Sequence, residues 1–214
     1  MSVVPQITED KISALRENLK TRMGEKRYHH TLGVEREIVK LGELYLPQDI
    51  LRLRAAALLH DLTKELTYAE QIAFCERHHI RLTAWEKSSP KTLHAKTAPT
   101  AVMLDYPAFA DKIILRAIRE HTTGARKMNV FSKLLYLADY IEETRTFPDC
   151  MRLRALFWRP MRDLPKNKWR KHLDRTLIVS FDMTISALLD EGDIIAPETI
   201  EARNTLVEEI NKHI

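Results

Sequence analysis

The chain has 214 residues, of which 44% are hydrophobic, and 34 Lys or Arg against 30 Asp or Glu give it a net charge of +4. This length can bury a core of one domain, and the central apolar run Ala55–Leu59 is too short to cross a bilayer. Two isolated cysteines, Cys75 and Cys150, exclude a disulfide framework and a cysteine metal motif. Few glycines and many good helix formers predict an all-α fold.

The N-terminal part of the chain has the periodicity of two helices. The first is predicted over residues 8–20, behind the N-cap type residue Thr8. The second is predicted over residues 26–46 and ends before Pro47, with His30 near its start and on its inner side. The opening Met-Ser-Val-Val-Pro lacks the pattern of a signal peptide, which together with the isolated cysteines predicts a cytoplasmic protein.

A third helix is predicted to open near Gln48 and to end at the adjacent pair His60 and Asp61. Burying two ionisable groups at the end of an apolar helix is costly unless something pairs with them. Neutral imidazole and carboxylate are both good ligands for a divalent metal. Neighbouring positions on a helix do not share a face, so we expect other helices to supply the remaining ligands.

Further helices are predicted in the middle of the chain. Residues 67–70 have the spacing of a capping box, and Ser88-Ser-Pro90 predicts a loop before a helix that begins at Leu93-His94. The next helix is predicted over residues 109–120 and is followed by His121-Thr-Thr-Gly124.

Asn129 is expected to cap a helix over residues 131–143, where Asp139 lies in an apolar run and needs a partner. A long amphipathic helix is predicted over residues 172–190, and Pro197 opens a final one.

Residues 152–175 form a basic segment with nine Lys or Arg and two Asp, a net charge of +7, while the rest of the chain carries −3. Such a segment could attract a polyanion, either a polyphosphate or a nucleic acid. It is equally compatible with an ordinary solvated helical face, and the sequence leaves both interpretations open.

Six ionisable residues lie at predicted helix ends or in apolar helices, at five places along the chain that are about one helical hairpin apart. They are His30, His60, Asp61, His94, His121 and Asp139. One such histidine alone is more often a hydrogen-bonded structural residue than a ligand. The ordered set, however, lets separate helices each point a ligand into a common cavity, as helix bundles do for metals. The sequence therefore predicts a metal site between helices.

The order His, His-Asp, Asp resembles the HD superfamily of metal-dependent phosphohydrolases, and the local sequences resemble the bacterial YqeK-type HD proteins over roughly residues 10–210. The segments that carry the resemblance are Arg27-Tyr-His-His-Thr-Leu-Gly-Val34, Leu58-Leu-His-Asp-Leu-Thr-Lys64, His121-Thr-Thr-Gly124, Tyr136-Leu-Ala-Asp-Tyr-Ile-Glu142, Arg145-Thr-Phe-Pro148 and Thr199-Ile-Glu-Ala-Arg-Asn204. The chain departs from the family pattern in residues 89–95 and in the tryptophan-bearing segment 157–171.

The resemblance implies an HD-domain helical bundle over residues 1–214, with a core at about 24–145 and C-terminal helices at about 150–213. It implies symmetrical hydrolysis of diadenosine tetraphosphate to two ADP with one or two divalent ions, of which Fe is favoured and Mn or Co would also suit the donors. By position, the metal ligands are His30, His60, Asp61 and Asp139.

The resemblance also implies roles for further residues around the metal. The catalytic set is Asp61, Lys64, His94 and His121. The substrate-binding set is Lys64, His94, His121, Thr122 and Arg145, together with Arg27, which could equally be an ordinary residue of the first helical turn. We expect the metal to lower the pKa of the attacking water, and the cations and imidazoles to stabilise charge on the phosphoryl oxygens.

Other functions stay open at this point. One is another HD-type phosphohydrolase that acts on a nucleoside monophosphate or a guanosine alarmone. Another is a non-catalytic module that binds nucleotide or RNA through the basic segment, and a di-iron oxygenase is more remote. We expect the chain to bind a small nucleotide and not to bind a membrane. Formation of a homodimer and binding of nucleic acid through residues 152–175 are left open.

Overall fold

The computed structural model describes residues 6–212. This part of the chain contains helices and no strand, which confirms the all-α prediction. The helices are α1 (Glu9–Arg22), α2 (Glu25–Tyr45), α3 (Ile50–Leu59), α4 (Tyr68–Arg77), α5 (Ala84–Lys87), α6 (His94–Asp105), α7 (Lys112–Glu120), α8 (Val130–Ile141), α9 (Pro148–Met161), α10 (Lys166–Glu191) and α11 (Pro197–Asn211). The first five residues, which include the segment predicted not to be a signal peptide, and positions 213 and 214 lie outside the described range.

Side-chain caps begin several helices where the sequence predicted them. Thr8 accepts a hydrogen bond from the Lys11 amide at the start of α1, and Thr67 forms a full capping box at the start of α4. Asn129 Oδ1 accepts a hydrogen bond of 2.8 Å from the Ser132 amide at the start of α8. Each cap satisfies an amide that the first helical turn leaves without a partner.

Two predicted helix starts were misplaced. The helix predicted from residue 109 begins at Lys112, because Pro107–Phe109 forms a separate 3-10 turn and Asp111 caps the helix by accepting from the Ile113 amide. The long helix predicted from residue 172 begins at Lys166, directly after Pro165, whose fixed φ suits a helix start. The basic segment is therefore largely helical and includes most of α9 and the beginning of α10.

Helix α3 lies at the centre of the bundle and packs against α1, α2, α7 and α8. Leu53 and every residue of the run Ala55–Leu59 are fully buried. Truncating a buried leucine in such a position typically costs about 2–5 kcal/mol of unfolding free energy. The rigid central helix thus fixes the position of the His60-Asp61 pair that follows it. None of the helices within residues 6–212 is long and apolar enough to span a membrane.

Candidate metal centre

The structure brings the six predicted ligand positions together at one end of the bundle. His60 and Asp61 follow the last residue of α3, and Asp139 lies in the last turn of α8. His30 lies in the second turn of α2, His94 is the first residue of α6, and His121 directly follows α7. These residues lie within two turns of a helix end, and the helix ends meet around a common cavity. Residues that are far apart in sequence therefore become neighbours.

His60 is fixed by its own helix end. Its Nδ1 lies 2.6 Å from the Ala57 carbonyl oxygen, which can only accept a hydrogen bond, so Nδ1 carries the proton. The lone pair of the neutral ring is therefore on Nε2. This atom is buried and has no hydrogen-bond partner among the described residues, which suits a role as a metal ligand.

His30 is oriented by Glu142, a residue that sequence reasoning did not assign to the site. The Glu142 Oε1 atom lies 3.0 Å from His30 Nδ1, and the carboxylate also accepts hydrogen bonds from the amide and hydroxyl of Thr144. Glu142 is fully buried against Gly33, where a Cβ would lie 2.9 Å from the carboxyl carbon. Gly33 is thus the residue that leaves room for this carboxylate, which directs His30 Nε2 towards the cavity.

Two imidazole nitrogens each lie within 3.9 Å of the same two carboxylate oxygens. His30 Nε2 lies 3.0 Å from Asp139 Oδ1 and 3.9 Å from Asp61 Oδ2. His60 Nε2 lies 3.4 Å from the same Asp61 oxygen and 3.7 Å from the same Asp139 oxygen. Ligands at about 2.1 Å from one ion are about 3.0–3.4 Å apart in cis-octahedral or tetrahedral geometry. Two of the four separations lie in this range, and His30, His60 and Asp139 form a set of donors close enough to share a divalent metal.

Asp61 faces a second group with its other oxygen. Asp61 Oδ1 lies 3.3 Å from His94 Nε2 and 3.6 Å from His121 Nε2, and these two nitrogens are 3.1 Å apart. His121 Nδ1 lies 2.5 Å from the Ile118 carbonyl oxygen, so the lone pair of this ring is on Nε2 as well. His60, Asp61 and His121 form a second set of donors close enough to share an ion.

Cationic side chains border both donor groups. Arg27 pairs with Asp61 Oδ2, and Arg145 Nη2 donates to Asp139 Oδ1 at 2.7 Å. Lys64 Nζ lies 3.2 Å from His94 Nδ1, and Thr122 Oγ1 lies 3.1 Å from His94 Nε2. The structure therefore places every predicted substrate-binding residue beside the candidate ligands.

The carboxylates of the cluster are held as anions. Burial raises the pKa of Asp61, but the electrostatic influence of the imidazoles packed around it, His60 first, outweighs burial and leaves this pKa well below its usual range. Burial also raises the pKa of Asp139, and the adjacent Arg145 guanidinium outweighs it in the same way. The anionic form is the one that binds a metal.

The nitrogen groups divide into two kinds. Burial lowers the pKa of His30, but its hydrogen bonds with Asp139 and Glu142 prevail and raise this pKa to about 9. Burial places the pKa of His94 well below its usual value and also lowers the pKa of Lys64. His94 is therefore neutral near pH 7, whereas a metal that binds His30 must displace its proton.

The cluster lies in a cavity of about 690 Å³. This volume is in the range typical of small-molecule sites. All the predicted site residues except the fully buried His60 line it. Sequence reasoning missed Phe147 and Thr184 at its wall; Phe147 lies within a family segment, while no sequence signal places Thr184 of α10 there.

Comparisons with known proteins agree with this arrangement. The HD domain model matches residues 27–144. The symmetrical bis(5'-nucleosyl)-tetraphosphatase of Halalkalibacterium halodurans is 30% identical, and the match covers 88% of this chain and 93% of that protein. The enzyme of the same name from Bacillus subtilis is 29% identical over 88% and 94% of the two chains.

A solved structure shows the same fold. The crystal structure of a predicted HD superfamily hydrolase involved in NAD metabolism from Clostridium acetobutylicum is 32% identical, with a TM-score of 0.79. The match covers 94% of this chain and 98% of that chain. An HD domain implies a divalent metal, which the His and Asp donors above could hold. The chain therefore belongs to the HD-domain family, within the YqeK-type group that its sequence motifs predicted.

Proposed function

We propose that this chain is a metal-dependent hydrolase that cleaves diadenosine tetraphosphate symmetrically to two ADP. The observation that carries the proposal is that His30 Nε2 and His60 Nε2 each lie within 3.9 Å of the same two carboxylate oxygens, beside a cavity bordered by cations. The related symmetrical tetraphosphatases, which align along almost their whole length, support the choice of substrate.

In this proposal, His30, His60, Asp61 and Asp139 hold the ion. When bound, a divalent metal supplies Lewis acidity, which lowers the pKa of water and polarises a phosphoryl oxygen. The mixed imidazole and carboxylate donors suit Fe, Mn or Co, and we propose Fe as the resident metal. The two oxygens of Asp61 face different donor groups, so this carboxylate is the proposed bridge if a second ion binds.

The remaining residues act on the polyphosphate. Lys64, Arg27 and Arg145 are positioned to neutralise phosphoryl oxygens, where negative charge accumulates in the transition state. Neutral His94 and Thr122 are proposed to donate hydrogen bonds to phosphate, and His121 is proposed to accept a proton at Nε2 and pass it on. Asp61 is the proposed acceptor of the proton from the attacking water.

A single domain is part of the proposal. Buried residues from α1 to α11 belong to one continuous hydrophobic core, which includes Ile12 near the beginning of the chain and Leu206 near its end. Thr184 of α10 lines the same cavity as His30 of α2. The C-terminal helices therefore contribute to the wall of the candidate site as well as to the core.

Product analysis tests the proposed reaction. The purified chain would be incubated with diadenosine tetraphosphate and Fe²⁺, Co²⁺ or Mn²⁺, and the nucleotides would be separated by ion exchange. We expect ADP as the sole product, and none from an Asp139→Ala variant. AMP with ATP would overturn the symmetrical cleavage, and absence of turnover with every metal would overturn the proposed substrate.

A further inference from the structure

Among the described residues, the basic segment concentrates cations that have no carboxylate partner within one short stretch of the chain. Outside this segment many surface cations are paired, for example Arg54 with Glu9 and Glu35, and Arg22 with Asp105. Between residues 6 and 212, no carboxylate forms a salt bridge with any of eight basic side chains of the segment. These are Arg152, Arg159, Arg162, Lys166, Lys168, Arg170, Lys171 and Arg175.

The two acids of the segment compensate little of this charge. Asp174 is buried and binds Lys133 of α8, with 2.7 Å between Oδ1 and Nζ. Asp163 is exposed in the turn between α9 and α10. The ninth basic residue, Arg154, donates instead to the carbonyl oxygens of Ile141, Glu142 and Arg145. The outward charge of the segment is therefore strongly positive.

On α9 the unpaired arginines share one face with exposed apolar side chains. Met151 is 53% exposed and Leu156 is 36% exposed. Successive residues of an α-helix are rotated by about 100° about the helix axis, so these two side chains fall within one arc of about 140° on the helix surface. The same arc contains Arg152, Arg159 and Arg162. We call this surface, together with Phe147 at its start, the α9 face. Among the described residues 147–163, the exposed carboxylates are Asp149 and Asp163, which lie near the two ends of this face.

The α9 face is continuous with the cavity of the candidate metal centre. Phe147, the N-cap residue of α9, is 68% exposed and also lines the cavity. From Phe147 to Arg162 the helix extends about 22 Å away from this rim. A ligand bound along the face would therefore have one end at the cavity.

These features match a particular ligand chemistry. Sequence-independent binding of single strands combines cations that follow the phosphates with exposed side chains on which bases pack. Arginine suits this purpose because its planar group binds phosphate oxygens in pairs and stacks on bases. The continuity with a cavity for polyphosphate favours a strand with a phosphorylated end over a membrane surface, which has no such end to place there.

We propose that the α9 face binds a single-stranded RNA whose 5′ end carries an adenosine tetraphosphate group, and that this group enters the cavity. The inference rests on the proposed function for the hydrolytic step. The water oxygen forms a new bond to one of the two central phosphorus atoms, the bond from this phosphorus to the bridging oxygen breaks, and that oxygen leaves with the other diphosphate while protons of the water pass to solvent. The products are ADP and a strand with a 5′-diphosphate.

The test combines binding and hydrolysis for one labelled RNA. A 12-nucleotide RNA with a 5′-adenosine tetraphosphate and a 3′ fluorophore is titrated with the protein across a range of salt concentrations. The variant carries R152E, R159E and R162E. The control carries R81E, K87E and R126E, which change the net charge equally at exposed residues of other segments.

The expected changes follow from counterion release. Loss of three phosphate contacts reduces the slope of log Kd against log salt by about 2, which is about 100-fold weaker binding at 0.1 M than the wild type. The control should bind as the wild type does. Both variants should hydrolyse free diadenosine tetraphosphate normally, and only the α9 variant should lose hydrolysis of the capped RNA at low RNA concentration.

Several outcomes would overturn the inference. These are no RNA binding by the wild type at 0.1 M salt, equal losses in the two triple variants, or binding of anionic phospholipid vesicles through the face without binding of RNA. Tight binding of capped RNA without its cleavage, while diadenosine tetraphosphate is cleaved, would overturn the placement of the 5′ end. Failure to cleave either substrate would instead refute the proposed function and leave the binding result intact.

Discussion

Replacing Gly33 with alanine should disturb the candidate metal centre through Glu142. The new Cβ would overlap Glu142 Oε2 and lie 2.9 Å from the carboxyl carbon, well inside the usual 3.5–4.0 Å carbon contact. Because Glu142 is fully buried, its carboxylate can move only by weakening its hydrogen bonds to His30 and Thr144. The substitution therefore acts on a metal ligand without changing any donor atom.

The magnitude follows from two opposing effects. Alanine in place of glycine inside a helix favours folding by about 1 kcal/mol. Losing one hydrogen bond to the Glu142 carboxylate costs about 1.5–3 kcal/mol, so we expect a net loss of about 0.5–2 kcal/mol in unfolding free energy. Removing the partner that orients a ligating histidine typically weakens metal binding by about 10–100-fold. We expect this loss for Gly33→Ala, read as the Kd for Mn²⁺ by titration calorimetry.

A matched control is available on the same helix. A Cβ at Gly42 would meet only the methyl ends of Ile50 and Leu53, at 2.7 Å, and these can move. Gly42→Ala should therefore retain the wild-type Kd for Mn²⁺. Combined with Glu142→Ala, Gly33→Ala should cause no further loss, because the atoms that it would strike are absent. Wild-type affinity in Gly33→Ala, or additive losses in the double variant, would refute this reasoning.

Three further results are expected. Asn129→Ala removes the cap of α8 and should lower the unfolding free energy by about 1 kcal/mol in urea denaturation; no change would mean that the cap is dispensable. Asp174→Ala leaves buried Lys133 with only the more distant Glu209, whose Oε2 is 3.6 Å from Nζ, and should cost up to about 3 kcal/mol in the same assay. Lys91→Ala, at an exposed pair, should be silent, and equal effects would contradict this assignment. Chelation of the metal should lower the thermal midpoint of unfolding of the wild type but not that of His60→Ala. A free metal concentration of 100 times the Kd stabilises the folded state by about 2.7 kcal/mol. A lower midpoint in both proteins would place the metal elsewhere.

The sequence could predict the helices and the donor set for identifiable reasons. Caps such as Asn129 are local, because their hydrogen bonds reach only three residues along the chain. His60 and Asp61 were recognisable because ionisable groups at the end of an apolar helix require a partner. The order of the donors along the chain then matched a known family, which gave the fold.

What the sequence could not predict depends on contacts between distant residues. Glu142 orients His30 across 112 positions, and only the three-dimensional packing reveals that Gly33 makes room for it. The sequence predicted helices from about residue 150 onwards but no bounds for α9, whose prolines at positions 148 and 160 occupy its first and last turns. Likewise, only the three-dimensional positions of the carboxylates reveal that, within residues 6–212, the basic residues of segment 152–175 form no salt bridges.

The most direct test of the central claim measures metal binding and turnover together. Metal-free protein would be titrated with Mn²⁺ while ADP release from diadenosine tetraphosphate is followed, for the wild type, for His60→Ala and for a control, His78→Ala, at the end of α4. We expect turnover to rise in proportion to bound metal in the wild type and the control, and His60→Ala neither to bind the metal tightly nor to release ADP. Wild-type turnover in His60→Ala would contradict this expectation.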